Sequence, residues 1–248
     1  MSYIFTVSPD FSPDHLSGWY IFNTWLQRQT GEAIHLELYD NFHAQRDAIQ
    51  ANQIDLIYAN PFDAAMLVRE KGFLPLVKAE GVSDEAIIAV RVDDIIDDVT
   101  QLSAGIKVAV TQDPDVHMIG MMMLEAGDLN ANNIETHFYN NHVLIAKSLL
   151  QGDADVGIFL AEAFDDLSNL TKKQLKILVR SQISVIHHSL MIGPKLIARR
   201  TEIQQVLLTM NNDDKGKSVL NSLGFNAWAK VEDEEMEFMI DLMDTLII

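Results

Sequence analysis

The chain has 248 residues, of which 18 are Lys or Arg and 36 are Asp or Glu, for a formal net charge of −18. A hydrophobic share of 48% supplies a buried core and excludes a disordered chain, while the charge excludes a nucleic-acid or anionic-membrane binder, which needs clustered Lys and Arg. The absence of Cys excludes disulfides, thiolate nucleophiles and Cys-held metals.

The first residues, Met-Ser-Tyr-Ile-Phe-Thr-Val-Ser-Pro-Asp, show neither a basic n-region nor a long apolar h-region. The chain as written therefore reads as unexported and cytoplasmic, or as periplasmic if a leader was removed. Its apolar runs are far shorter than the ~20 residues of a membrane span, so no membrane insertion is expected.

Tyr3–Val7 reads as a strand stopped by Ser8-Pro9. Ser12-Pro13-Asp14 opens a helix with Leu16, Trp19, Phe22 and Leu26 at helical spacing, and Gly31 closes it. Residues 34–39 alternate as a strand, 42–52 are helical and 54–59 form an apolar strand. Pro61 occupies a first helical position, where a missing N–H costs least, and that helix runs to Gly72. Residues 74–78 and 85–92 are strands.

The pattern then recurs. Residues 106–111 are a strand, and Asp113-Pro114-Asp115 leads a helix. Residues 134–139 are a strand, 142–151 a helix, 155–160 a strand and 162–170 a short helix. Residues 175–180 and 184–191 are strands, and the chain from Pro194 on is almost all helical. The alternation with short connections predicts parallel sheets in an α/β fold.

A segment from residue 36 to about residue 63 is echoed 100 positions later. Tyr39, Asn41 and Asp55 match Tyr139, Asn141 and Asp155, and Ile49 and Leu56 match Leu149 and Val156. Either the chain contains two related halves, or two βαβ units share a common periodicity. In a parallel α/β sheet ligands sit beyond the carboxyl ends of the strands. Those points are Asn41/Phe42 and Asn60/Phe62 in the first copy, and Asn141/His142 and Leu160/Glu162 in the second.

Several segments resemble one known family. Gln53-Ile-Asp-Leu-Ile-Tyr-Ala-Asn-Pro-Phe-Asp-Ala, the Asp113-Pro114 dipeptide after a strand, the strand-Asn-His-helix over 139–149, and Ser218-Val-Leu-Asn-Ser-Leu-Gly-Phe are similar, in this order, to segments of the phosphate/phosphite/phosphonate-binding components of ABC importers. The resemblance runs from Tyr3 to about residue 246. It implies a two-lobed α/β fold of the type II periplasmic-binding-protein kind, with parallel-rich sheets flanked by helices. It also implies a ligand captured in an interlobe cleft, and hinge strands near 85–92 and 184–191. Residues 1–86 and 190–248 would form lobe one and 87–189 lobe two.

By the same resemblance, Phe42 and Tyr58 offer aromatic ligand contacts, and His142 and Glu162 polar ones. Where the family carries a Ser-Thr-Ser-Gly-like anion cradle, this chain has Asp115-Val116-His117-Met118-Ile119-Gly120 without a hydroxyl, which puts His117 in the cradle. Asn60 joins the ligand-binding candidates from its place after an apolar strand. Each has a plainer reading: core packing for Phe42 and Tyr58, a helix cap for Asn60, and a helix-start residue for His142 and Glu162. Asp113 and Asp115 read as turn and cap residues that would disfavour an anion. His187-His188 on a strand would point to opposite faces. Met118 with Met121, Met122 and Met123 reads as a buried helix face, as do Met236, Met239 and Met243.

No catalytic residue, cofactor or metal site is expected. The expected function is a solute-binding protein for a small polar or oxyanion ligand, phosphonate-like by family, serving ABC import or ligand sensing. Its partners would be an importer permease or a sensor protein. The alternative is a cytoplasmic enzyme on the same fold, resembling those of menaquinone or thiamin synthesis.

Overall fold

Residues 2–11 and 13–246 are described by the computed structural model, with side chains described as far as Met243. Ser12, the first residue of the expected helix opening, lies outside them. In chain order the strands are β1 (Tyr3–Val7), β2 (Ile34–Leu36), β3 (Leu56–Ala59), β4 (Leu74–Ala79), β5 (Ala86–Arg91), β6 (Lys107–Thr111), β7 (Glu135–Tyr139), β8 (Val156–Leu160), β9 (Leu175–Arg180), β10 (Ser189–Ile192) and β11 (Trp228–Lys230). The α-helices are α1 (Leu16–Thr30), α2 (Phe42–Gln50), α3 (Pro61–Lys71), α4 (Pro114–Leu124), α5 (His142–Gln151), α6 (Ala161–Asp165), α7 (Asn169–Lys172), α8 (Arg200–Leu208), α9 (Asp214–Ser222) and α10 (Asp233–Leu246). The chain divides into two units, one of residues up to Val82 and from His187 onward, the other of Ser83–Ile186.

The first unit holds a six-stranded sheet in the order β11-β4-β10-β3-β1-β2. β1 runs parallel to β2 and β3, as the short βαβ connections require, while β10 lies antiparallel to both β3 and β4. The sheet is mixed because β10 comes from the segment returning out of the second unit. The core packs the apolar stripe of α1 on the sheet: Trp19 and Phe22 meet edge-to-face at 5.8 Å, and Phe22 lies 5.8 Å from Phe5 and 5.9 Å from Trp228. Burying each such ring contributes about 1.5–3 kcal/mol. Gly18 lets α1 approach α9, since a Cβ there would lie 2.1 Å from the Ser222 carbonyl oxygen. Met236, Met239 and Met243 of α10 are buried, and Glu235 ties that helix to Lys78 of β4.

The second unit holds a five-stranded sheet in the order β7-β6-β8-β5-β9. β6 is parallel to β7 and β8, and β5 is antiparallel to β8 and β9. Ile145 and Leu149 of α5 pack with Ile87, Ala109 and Phe159 of the sheet.

The strand expected over 184–191 is shorter, and its early residues have other partners. The amide of Ser184 donates to the Glu85 carboxylate at 2.7 Å, as does that of Ile183 just before the expected strand at 3.0 Å, and Ser184 takes a left-handed φ of 58°. The helix expected over 162–170 breaks in two, because Ser168 restarts it as the cap of α7. β11 stands in the region expected to be helical. On α4 the buried face is Val116, Ile119, Gly120 and Leu124, whereas the four methionines expected there are half-buried. A Cβ on Gly120 would meet Ile158 at 2.4 Å, so the helix sits close on β8.

Candidate functional site

In the first unit the parallel strands end at Val7, Leu36 and Ala59. Asn60 follows β3, is fully buried and caps α3: its Oδ1 accepts from the Asp63 amide at 2.7 Å. Its Nδ2 donates to Ser8 Oγ at 3.0 Å and to Asp63 Oδ2 at 2.9 Å, tying the loops after β1 and β3 together. Asp63 also receives Arg46, with Nε on Oδ1 at 2.6 Å and Nη2 on Oδ2 at 3.3 Å. The Arg46 guanidinium then lies over Phe42 at 5.3 Å and Phe62 at 4.9 Å. Phe42, half-buried at the first position of α2, is thus held against Arg46.

Tyr58 is placed in the aromatic core. Its ring lies 4.9 Å from Trp19 and 5.8 Å from Phe225, and it stacks on His188 at 5.4 Å. His188 is brought to the same edge as Asn60 because β10 is antiparallel, with Ser189 opposite Ala59. There His188 Nε2 meets Asp10 Oδ1 at 3.2 Å. Burial pushes the Asp10 carboxyl up, but the charge and hydrogen bonds of His188, with Ser8, outweigh it and hold the carboxyl below its usual range. His187 turns elsewhere, to Glu235 at 3.2 Å.

In the second unit β7, β6 and β8 are neighbours, and each is followed by a helix start that carries a candidate residue. Asp113 caps α4, its Oδ1 accepting from the amides of Asp115 at 3.0 Å and Val116 at 3.3 Å. His117, one turn in, donates its amide to the Asp113 carbonyl and meets Phe138 edge-to-face at 5.8 Å. Asn141 caps α5 by accepting from the Leu144 amide at 3.0 Å, and His142 opens that helix with its ring 6.1 Å from Phe159. Burial pushes the His142 imidazole down to about 4 and lowers His117 as well, so both rings are neutral at neutral pH. His142 Nδ1 is buried with no hydrogen-bond partner among the described residues. Glu162 is exposed in the first turn of α6.

These helix starts bring neutral imidazoles and carboxylates to one edge of the sheet, an arrangement suited to hydrogen-bonding a small polar molecule. The pairs Asp10–His188 and Arg46–Asp63 were not singled out in the sequence. The one available signal was position: Asp10 follows the first strand, and Asp63 lies three residues after Asn60. Nothing local in the sequence joins Asp10 to a histidine 178 residues away.

The chain matches the family described as ABC transporter, phosphonate, periplasmic substrate-binding protein over residues 5–236. No curated protein matches it. Among solved structures it is similar to PhnD1 from Prochlorococcus marinus in complex with methylphosphonate, with a TM-score of 0.82, 12% identity, and coverage of 99% of this chain and 98% of that one. It is also similar to XAC2383 from Xanthomonas citri bound to ATP, with a TM-score of 0.81, 15% identity, and coverage of 99% and 98%. The periplasmic aliphatic sulphonate binding protein SsuA from Escherichia coli aligns with a TM-score of 0.71, 13% identity, and coverage of 99% and 91%. At these identities the structures establish the type of fold, and the enzyme alternative finds no support in the family or in these neighbours. Among the described residues no helix is long and apolar enough to cross a membrane. By its match over residues 5–236, the chain belongs to the phosphonate-type periplasmic substrate-binding proteins of ABC transporters.

Proposed function

We propose that this chain captures one small polar solute for an ABC importer permease, using the loops at the carboxyl ends of its parallel strands. The proposed contact residues are Phe42, Tyr58 and Asn60 among the loops and strand ends of the first unit, and His117, His142 and Glu162 among those of the second. The observation that carries this reading is His142: a neutral ring at a helix start, with a buried Nδ1 that no described residue bonds. A buried nitrogen left without a partner costs stability, and a bound solute would supply the missing bond. Members of the family work in the periplasm, and the proposal places this chain there; the codons upstream in the native gene test that placement.

Capture is tested by a thermal-shift panel of phosphate, phosphite, alkylphosphonates, sulfonates, amines and amino acids. A solute at 100 times its Kd adds about 2.7 kcal/mol to the stability of the folded state. One chemical class raising the melting temperature supports the reading, and a flat response across the panel counts against it.

A further inference from the structure

Thr111 ends β6, opposite Tyr139 of β7, and the residue is only 7% exposed. Its Oγ1 has no hydrogen-bond partner among the described residues. Side chains alternate along a strand, so Thr111 shares a face with Ala109. Ala109 packs with Ile145, Ala146 and Leu149, which makes this the face covered by α5. α5 begins beyond the carboxyl end of β7, so the part of it that Thr111 faces is the first turn, which carries His142 and its unpartnered Nδ1. A buried hydroxyl and a buried imidazole nitrogen thus lie at one end of the sheet, bonded neither to each other nor to any other described group.

The surroundings select the charge of what would bond them. Residues 111–120, 139–146 and 160–166 include Asp113, Asp115 and Glu162 and contain no Lys or Arg. The amides of Asp115 and Val116, which an anion would use at the start of α4, are already bonded to the Asp113 carboxylate. Arg180, at the end of β9, is engaged by Asp165 through both Nη atoms, at 3.1 and 2.6 Å. His117 and His142 add no positive charge, because burial keeps them neutral.

We propose that Thr111 Oγ1 and His142 Nδ1 together accept hydrogen bonds from a protonated amine of the captured solute, and that Thr111 is a specificity-determining residue of this site. The inference rests on the reading of these loops as the solute-binding loops. It requires His142 to carry its proton on Nε2, leaving Nδ1 as the acceptor.

Titration calorimetry with ethanolamine, putrescine, methylphosphonate and inorganic phosphate tests it, on the wild type and on Thr111→Val, which keeps the shape and removes the oxygen. The expected result is binding of an amine that Thr111→Val weakens at least tenfold, with the ligand-free melting temperature unchanged or raised, since an unsatisfied hydroxyl is removed. Binding of methylphosphonate or phosphate with both amines silent overturns the amine assignment while the capture reading stands. Amine binding that Thr111→Val leaves intact overturns the role of Thr111, and so does a lowered ligand-free melting temperature with affinity unchanged. Silence of all four probes overturns the amine assignment, and the wider thermal-shift panel then judges capture separately.

Discussion

Asp55 and Asp155 form the same two hydrogen bonds in the two units. The Asp55 amide donates to the Ile4 carbonyl at 2.9 Å, and Asp55 Oδ2 accepts from the Ile4 amide at 2.9 Å. The Asp155 amide donates to the Lys107 carbonyl at 2.9 Å, and Asp155 Oδ2 accepts from the Lys107 amide at 2.8 Å. Each aspartate therefore fixes a register, Asp55 between β1 and β3 and Asp155 between β6 and β8. Asn41 and Asn141 likewise cap α2 and α5 with nearly identical backbone angles. The 100-residue echo in the sequence is an echo of these hydrogen bonds.

The two aspartates differ in burial, which separates their energetic roles. Asp55 is buried and also pairs with Lys195 Nζ at 2.9 Å, whereas Asp155 is exposed. Asp55→Ala is expected to cost about 2–3 kcal/mol in urea unfolding, because it strands the half-buried Ile4 amide and removes the partner of Lys195. Asp155→Ala, where water replaces the carboxylate, is expected to cost less than about 1 kcal/mol. Equal losses would contradict the assignment.

Asp63 is a buried carboxylate whose charge is met by Arg46. Arg46→Ala removes that partner and the cation over Phe42 and Phe62, and is expected to destabilise the protein by about 3 kcal/mol. The double variant Arg46→Ala with Asp63→Asn is expected to recover part of the loss, because no buried charge is left unpaired. Calorimetric melting of the three proteins measures this, and a double variant no better than the single one would point to lost ring packing instead.

His142 makes stability depend on pH in a known direction. Its imidazole titrates at about 4 in the folded chain against 6.5 unfolded, so the unfolded state takes up the proton first as pH falls. The stability that comes from keeping the ring neutral is complete above the unfolded value, declines as pH falls toward the folded one, and is fully lost below it; over this shift the loss is about 3 kcal/mol. Carboxylates also titrate toward the acid end, so the measurement is the difference between the wild type and His142→Asn. Denaturant midpoints at pH 7 and pH 5 should fall more in the wild type, and parallel falls would refute the prediction.

Gly18 is where α1 and α9 touch backbone to backbone. Gly18→Ala gains helix propensity of about 1 kcal/mol, yet its methyl group meets a carbonyl that cannot move without shifting α9. A net loss of about 1–3 kcal/mol is expected from overpacking, and a rise in melting temperature would show that the helices part at no cost.

The sequence made the local elements legible, because helix starts such as Asn41, Pro61 and Asp113 and stops such as Gly31 and Gly72 act within a few residues. What it hid depended on distant partners. β11, of three residues, is too short to show a period and exists because β4 pairs with it, Trp228 against Ala79. The amide of Ser184 reads as strand from the sequence, yet Glu85, about 99 residues earlier, accepts from it. The same division holds at the site: His142 is marked by its position at a helix start, whereas the stacking of Tyr58 on His188 follows from the return of the chain through β10.

Capture of a solute is tested most directly by titration calorimetry of the strongest stabilising solute against the wild type and His142→Ala. Saturable binding of one solute per chain, recovery of the solute chemically unchanged, and at least tenfold weaker binding to His142→Ala are expected. Unchanged affinity in that variant, or conversion of the solute to a product, would contradict the capture reading.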